Sequence, residues 1–85
     1  MSEIKVRILT PLGEVYSKKA ELVNFRTVEG AMGVLPKRAP LIVHLSIHEM
    51  EMVTAEKRDR IHVAGGYLYC DGEEVVVVTT DARRE

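Results

Sequence analysis

Glu29-Gly30-Ala31-Met32-Gly33-Val34-Leu35-Pro36-Lys37-Arg38-Ala39-Pro40-Leu41 is the most constrained stretch of this 85-residue chain, holding two of its six glycines and two of its three prolines. Glycine tolerates positive φ and close backbone approach, whereas each proline fixes its own φ and pushes the residue before it towards extended geometry. A regular helix or a central strand is therefore not expected here. The spacing predicts a shaped loop that delivers the chain into an apolar strand beginning Leu41-Ile42-Val43.

On both sides of this stretch the pattern is that of strands. Ile4, Val6 and Ile8 alternate with Lys5 and Arg7, the signature of a half-buried strand. Thr10-Pro11-Leu12-Gly13 supplies turn chemistry, and Glu14-Val15-Tyr16-Ser17 returns as the second arm of a hairpin. Ala20 to Val28 has strand propensity with Val23 and Phe25 on one side. After the loop, Leu41 to Ile47 alternates. His48 to Arg60 contains good helix formers, but Met50, Met52 and Thr54 alternate with Glu49, Glu51 and Val53, which predicts a strand, a polar turn near Glu56–Asp59 and a further strand. Gly65-Gly66 interrupts the next strand where a bulge or close packing is expected, and Asp71-Gly72 marks a turn. Val75 to Val78 is apolar on both faces, as expected of a strand in the middle of a sandwich. Thr79 to Glu85 is too short to predict another element. Short strands with turn signals at this spacing predict one all-β domain over residues 1–85, a sandwich or barrel.

Composition narrows the function. Hydrophobic residues are 46% of the chain, enough for a thin core, and a single cysteine cannot form an internal disulfide, which fits a reducing cytosolic setting. Twelve basic and thirteen acidic residues are dispersed, so no electrostatic footprint points to nucleic acid. No apolar run approaches the ~20 residues that span a bilayer.

No residue set carries catalysis. His48-Glu49 begins like a zinc-protease helix, but the position four residues on is Met52 where a second histidine is required. His44 and His62 could meet across strands but lack a third ligand. Cys70 has no partner to lower its pKa. Neither Gly30 with Gly33 nor Gly65-Gly66 has the residues of a phosphate loop, so no metal and no cofactor is expected. Glu49-Met50-Glu51-Met52 resembles the Met-Lys-Met turn of biotin-carrier domains, yet Glu51 stands where the acceptor lysine must be and Lys57 lies outside the motif. A stand-alone carrier or binding module of the biotinyl type is the alternative reading.

Three blocks carry a stronger resemblance: Thr10-Pro11-Leu12-Gly13-Glu14-Val15-Tyr16, then Glu29 to Pro36 with Ala39-Pro40-Leu41, then Val63-Ala64-Gly65-Gly66-Tyr67-Leu68. In order and spacing they resemble the N-terminal β-sandwich domain of the epsilon subunit of bacterial F-type ATP synthases (delta in mitochondria). The resemblance implies ten strands in two five-stranded sheets, and a non-catalytic rotor subunit of the central stalk that joins the gamma subunit to the c-ring and couples ion-driven rotation to ATP synthesis. It places the chain at the cytoplasmic face of the bacterial plasma membrane, bound there only through the complex. Glu29, Gly30, Ala31, Met32 and Gly33, with Lys37 and Arg38, would face the c-ring. Met50, Met52 and Tyr67 would face gamma, on an apolar strip larger than scattered exposed residues give.

Several positions depart from the family pattern. Ala31 follows Gly30 where an acidic residue is common, Lys37-Arg38 replaces Gly-His, and Ile47-His48 stands in place of a Pro-Gly turn. Family members commonly continue into a two-helix hairpin that restrains ATP hydrolysis and in some binds ATP. This sequence ends at Arg83-Arg84-Glu85, so neither property is expected of it.

Overall fold

A computed structural model of the chain describes residues 3–35 and 40–84. The alternation read from the sequence becomes strands β1 (Ile4–Thr10), β2 (Gly13–Ala20), β3 (Leu22–Thr27), β4 (Gly30–Val34), β5 (Leu41–Val53), β6 (Arg58–Cys70), β7 (Glu74–Val78) and β8 (Ala82–Arg84). All of the regular structure among the described residues is β. Hydrogen bonds link the strands in the order β2-β1-β7-β6-β5-β3-β4, with β8 added to β6. Every pairing is antiparallel except β1 with β7.

A single continuous sheet becomes a sandwich because its two longest strands change which face they bury. In β5 the buried or half-buried side chains are Leu41, Val43 and Leu45 at first, then His48, Met50 and Met52; in β6 they are Ile61 and Val63, then Leu68 and Cys70. The side-chain period of a strand is two, so this change of parity means that the ladder folds over at Ser46 and Gly65-Gly66. Gly66 has φ +107°, and a Cβ there would stand 2.0 Å from the Val78 carbonyl oxygen, so the fold-over needs a residue without a side chain. On one side of the bend lie β2, β1, β7, the second half of β6 and the first half of β5. On the other lie β4, β3, the second half of β5, the first half of β6, and β8.

The inward faces meet in one core. Ile4, Val6, Ile8, Val75, Val77, Leu68 and Cys70 come from the first layer and Val23, Phe25, Met50, Met52, Ile61 and Val63 from the second. A polar clasp joins the layers near the β2 edge, where the Tyr16 hydroxyl donates to Asp59 Oδ2 at 2.8 Å. Lys18, Lys57 and Arg84 all lie within 4 Å of that carboxylate.

Four expectations change. The expected ten strands in two separate sheets are, among the described residues, eight strands in one connected path, because β5 and β6 are each 13 residues long and serve both layers. The stretch expected to be a shaped loop contains β4, which among the described residues pairs only with β3 and so is an edge strand where glycines are tolerated. The two strands expected on either side of Ile47 are one strand. The tail expected to lack structure carries β8, three residues paired with Ile61 to Val63.

Candidate interaction surface

The outward face of the first layer is apolar across β5, β6 and the end of β7, and charged towards β1 and β2, where Arg7 pairs with Glu14 and Glu74. Inward Val75 and Val77 leave Val76 and Val78 outward on β7, and inward Leu68 and Cys70 leave Tyr67 and Tyr69 outward on β6. Register then sets these side chains in two rows across four strands: Leu9, Val78, Tyr67 and His44 in one, Arg7, Val76, Tyr69 and Ile42 in the other. With strands about 4.8 Å apart, each row spans about 14 Å. Ile42 is 68% exposed, Tyr67 57%, Val78 54% and Tyr69 47%. The His44 and Tyr67 rings stack, with centroids 4.9 Å apart and an interplanar angle of 17°. At the end of the strip a cleft of about 510 Å³ opens between Leu9, Pro11, Tyr67 and Val78.

A second element abuts this strip. Thr27 Oγ1 accepts from the Glu29 N–H and donates to the Gly30 carbonyl, both at 3.0 Å, which fixes the tight β3–β4 turn. Gly30 follows at φ +142°. The Val28 N–H donates to the His44 carbonyl at 3.1 Å, tying the hairpin tip to β5 one residue pair from Tyr67. Val28, Glu29, Gly30, Ala31, Met32 and Gly33 are all exposed. The tip of the Glu29–Gly33 hairpin is therefore tied through Val28 to His44, the partner of Tyr67, while Ala31, Met32 and Gly33 run on beside Asn24, Glu49, Glu51 and Arg60. Lys37 and Arg38 lie outside the described residues.

Met50 and Met52 do not belong to any surface. Both are buried, at 0% and 2% exposure, because after the bend the even positions of β5 face inward. Their expected contact with gamma is withdrawn. The same geometry removes the carrier reading, since Glu51 lies within a long strand rather than in a turn, accepting from Asn24 Nδ2 at 3.1 Å and Arg58 Nη1 at 3.2 Å. His44 and His62 do not meet across strands, because His44 is opposite Tyr67 and His62 is opposite Glu49. Cys70 is fully buried in the core.

Ile42, Tyr69 and Val78 were not among the residues expected at an interface. A signal for them exists in Val75 to Val78, since a run apolar on both faces in a sandwich strand needs something to cover its outer side. The opposite outer face carries instead an ion ladder in which Arg58 and Arg60 pair with Glu51, and Arg60 also with Glu49.

Comparison with known proteins gives this architecture relatives. The sequence model of the family described as ATP synthase, Delta/Epsilon chain, beta-sandwich domain matches residues 3–85. The ATP synthase epsilon chain of Thermotoga petrophila is 44% identical over 82 residues, which cover 96% of this chain and 76% of the relative. A sodium ion specific ATP synthase epsilon chain of Propionigenium modestum is 34% identical, and the matched part covers 60% of that protein. Among solved structures, a chain of the Euglena gracilis mitochondrial ATP synthase, in an assembly of OSCP, F1 and c-ring, superposes with a TM-score of 0.89 at 21% identity, over 99% of this chain and 54% of its own. That match speaks for the fold. Taken with the family model and the identity to the Thermotoga chain, the chain belongs to the family of ATP synthase delta/epsilon β-sandwich domains.

Proposed function

We propose that the chain is a rotor subunit of an F-type ATP synthase, joining the gamma subunit to the c-ring and supporting the coupling of ion-driven rotation to ATP synthesis. The apolar strip on the outer face of the first layer carries this reading. Ile42, Tyr67, Tyr69 and Val78 form a contiguous apolar surface with no covering element in the chain's described residues, and such surfaces mark protein interfaces. Tyr67 at its centre is the gamma contact, and the hairpin from Glu29 to Gly33, with Lys37 and Arg38, faces the ring. The chain acts without catalysis of its own and reaches the cytoplasmic face of the membrane through the complex.

The eight-strand path is compatible with a count of ten when β5 and β6 are each counted once in either layer. Co-purification tests the function: the tagged chain expressed with the gamma subunit of its own source should retain it, and Tyr67→Asp should release it. Charge reversal at Lys37 and Arg38 should weaken assembly with the ring while leaving the gamma complex intact. Retention of gamma by the Tyr67→Asp variant would remove the strip from the account.

A further inference from the structure

Among the described residues the folded sheet leaves four strand edges, and three of them carry charge, glycine or a bulge against pairing with another chain. The β2 edge carries Lys18 and Lys19, with a bulge in its ladder at Ile8/Leu9. The β4 edge is five residues long with two glycines, and β8 is three residues long with Arg83 and Arg84. Charge, brevity and irregularity are the usual protections of an exposed edge. The fourth edge, Leu41-Ile42-Val43-His44 of β5 before Leu45 meets Thr27, is short too, but it contains no formal charge at pH 7, no glycine and no proline.

The backbone at this edge is directed outward. The His44 carbonyl accepts from the Val28 N–H, so at His44 the backbone polar groups point away from β6. The strand repeat of two turns the N–H and C=O of Ile42 the same way. Beyond Val28 no described strand lies along them, since residues 41 to 44 pair with β6 alone. The core is also thin here. Leu41 and Val43 are only partly buried against it, whereas the equivalent positions after the bend, Met50 and Met52, are covered.

We infer that the Leu41–His44 edge is a strand-addition site, at which an extended, apolar segment of the neighbouring rotor subunit continues the first layer by pairing with Ile42 and covering Leu41 and Val43. This rests on the rotor reading above and deepens it. Backbone pairing supplies hydrogen bonds that a contact through side chains alone lacks, and Ile42 belongs to both the edge and the apolar strip, so one partner can engage the two together. An uncharged edge suits an uncharged segment, because a charged residue seated against Leu41 and Val43 would be desolvated without a counter-ion.

Amide hydrogen exchange separates this inference from the reading beneath it. The full chain is compared free and reassembled with epsilon-free synthase from the same source. The Ile42 and His44 amides should exchange rapidly in the free chain and slow by at least about 100-fold in the complex, since exchange then requires opening of the added strand. Ile42→Pro should weaken reassembly by about 10-fold or more, because it deletes an outward N–H while the β6 ladder keeps its bonds through Leu41 and Val43; Ile42→Val, which keeps that N–H, should not. Reassembly with these two amides still in fast exchange, or with Ile42→Pro binding as well as Ile42→Val, overturns strand addition and leaves the rotor reading standing. Failure of the unaltered chain to reassemble overturns both.

Discussion

His48 repairs a gap in the sheet by accepting the backbone N–H of Arg26 at 2.9 Å on Nε2. Between the pairs Asn24↔Glu51 and Thr27↔Leu45, two residues of β3 face five of β5, and the ladder cannot continue across that mismatch. The imidazole enters the space. Its Nδ1 lies 2.7 Å from the Ser46 carbonyl, and since a carbonyl only accepts, Nδ1 carries the proton and Nε2 is free to accept from Arg26. The ring is therefore held neutral, and burial lowers its pKa.

The sign of the resulting pH dependence follows from that shift. Below about pH 6.5 the unfolded chain protonates His48 while the folded chain resists, so the unfolded state binds more protons and stability falls with pH until the folded pKa is passed. Urea unfolding at pH 8, 6 and 5 should show a progressive loss that is reduced in His48→Gln. His48→Ala should cost about 1–3 kcal/mol at pH 8 by leaving the Arg26 N–H without a partner.

Gly66 and Gly30 both have positive φ, but they should respond differently to alanine. At Gly66 the new Cβ would meet the Val78 carbonyl, whereas at Gly30 nothing lies within 4 Å. Gly30→Ala should cost only the backbone strain, about 1–2 kcal/mol. Gly66→Ala should cost about 3 kcal/mol or more, because the bend that closes the sandwich must shift. Equal urea midpoints for the two variants would remove Gly66 from its structural role.

The Tyr16–Asp59 clasp gives a third outcome. Asp59 is held below the usual carboxylate range, first by the Tyr16 hydroxyl and then by Lys57, Lys18 and Arg84, while Tyr16 is raised by burial and by Asp59. A depressed carboxylate contributes stability above its unfolded pKa of about 3.9, lost as pH falls through its folded pKa. Tyr16→Phe should cost about 1–2 kcal/mol at pH 7 and flatten the acid limb of the stability profile. Thermal denaturation of both proteins between pH 7 and pH 2.5 reads both effects.

Strand positions were legible in the sequence because alternation is a local property. Ile4 to Ile8, Leu41 to Leu45 and Ile61 to Val63 announce themselves within a few residues. The change of buried face along β5 and β6 is not local. It depends on Gly66 meeting Val78, twelve residues away, and without it Met50 and Met52 could be assigned to a surface although they fill the core. The hairpin at Glu29–Gly33 was legible as a constrained segment, but β4 within it is held by pairing to β3 rather than by its own propensity. Tyr67 could be expected on a surface from the alternation of its own strand, while Ile42, Tyr69 and Val78 require the register that places them beside it.

Docking into an ATP synthase rotor through the face bearing Ile42 and Tyr67 can be measured as binding to epsilon-free synthase from the same source. The unaltered chain should bind at one copy per rotor. Tyr67→Asp with Ile42→Asp should weaken that binding about 30-fold or more, with little change in thermal stability because both side chains are exposed in the free chain. Absence of binding by the unaltered chain, or equal binding by the double variant, would contradict the account.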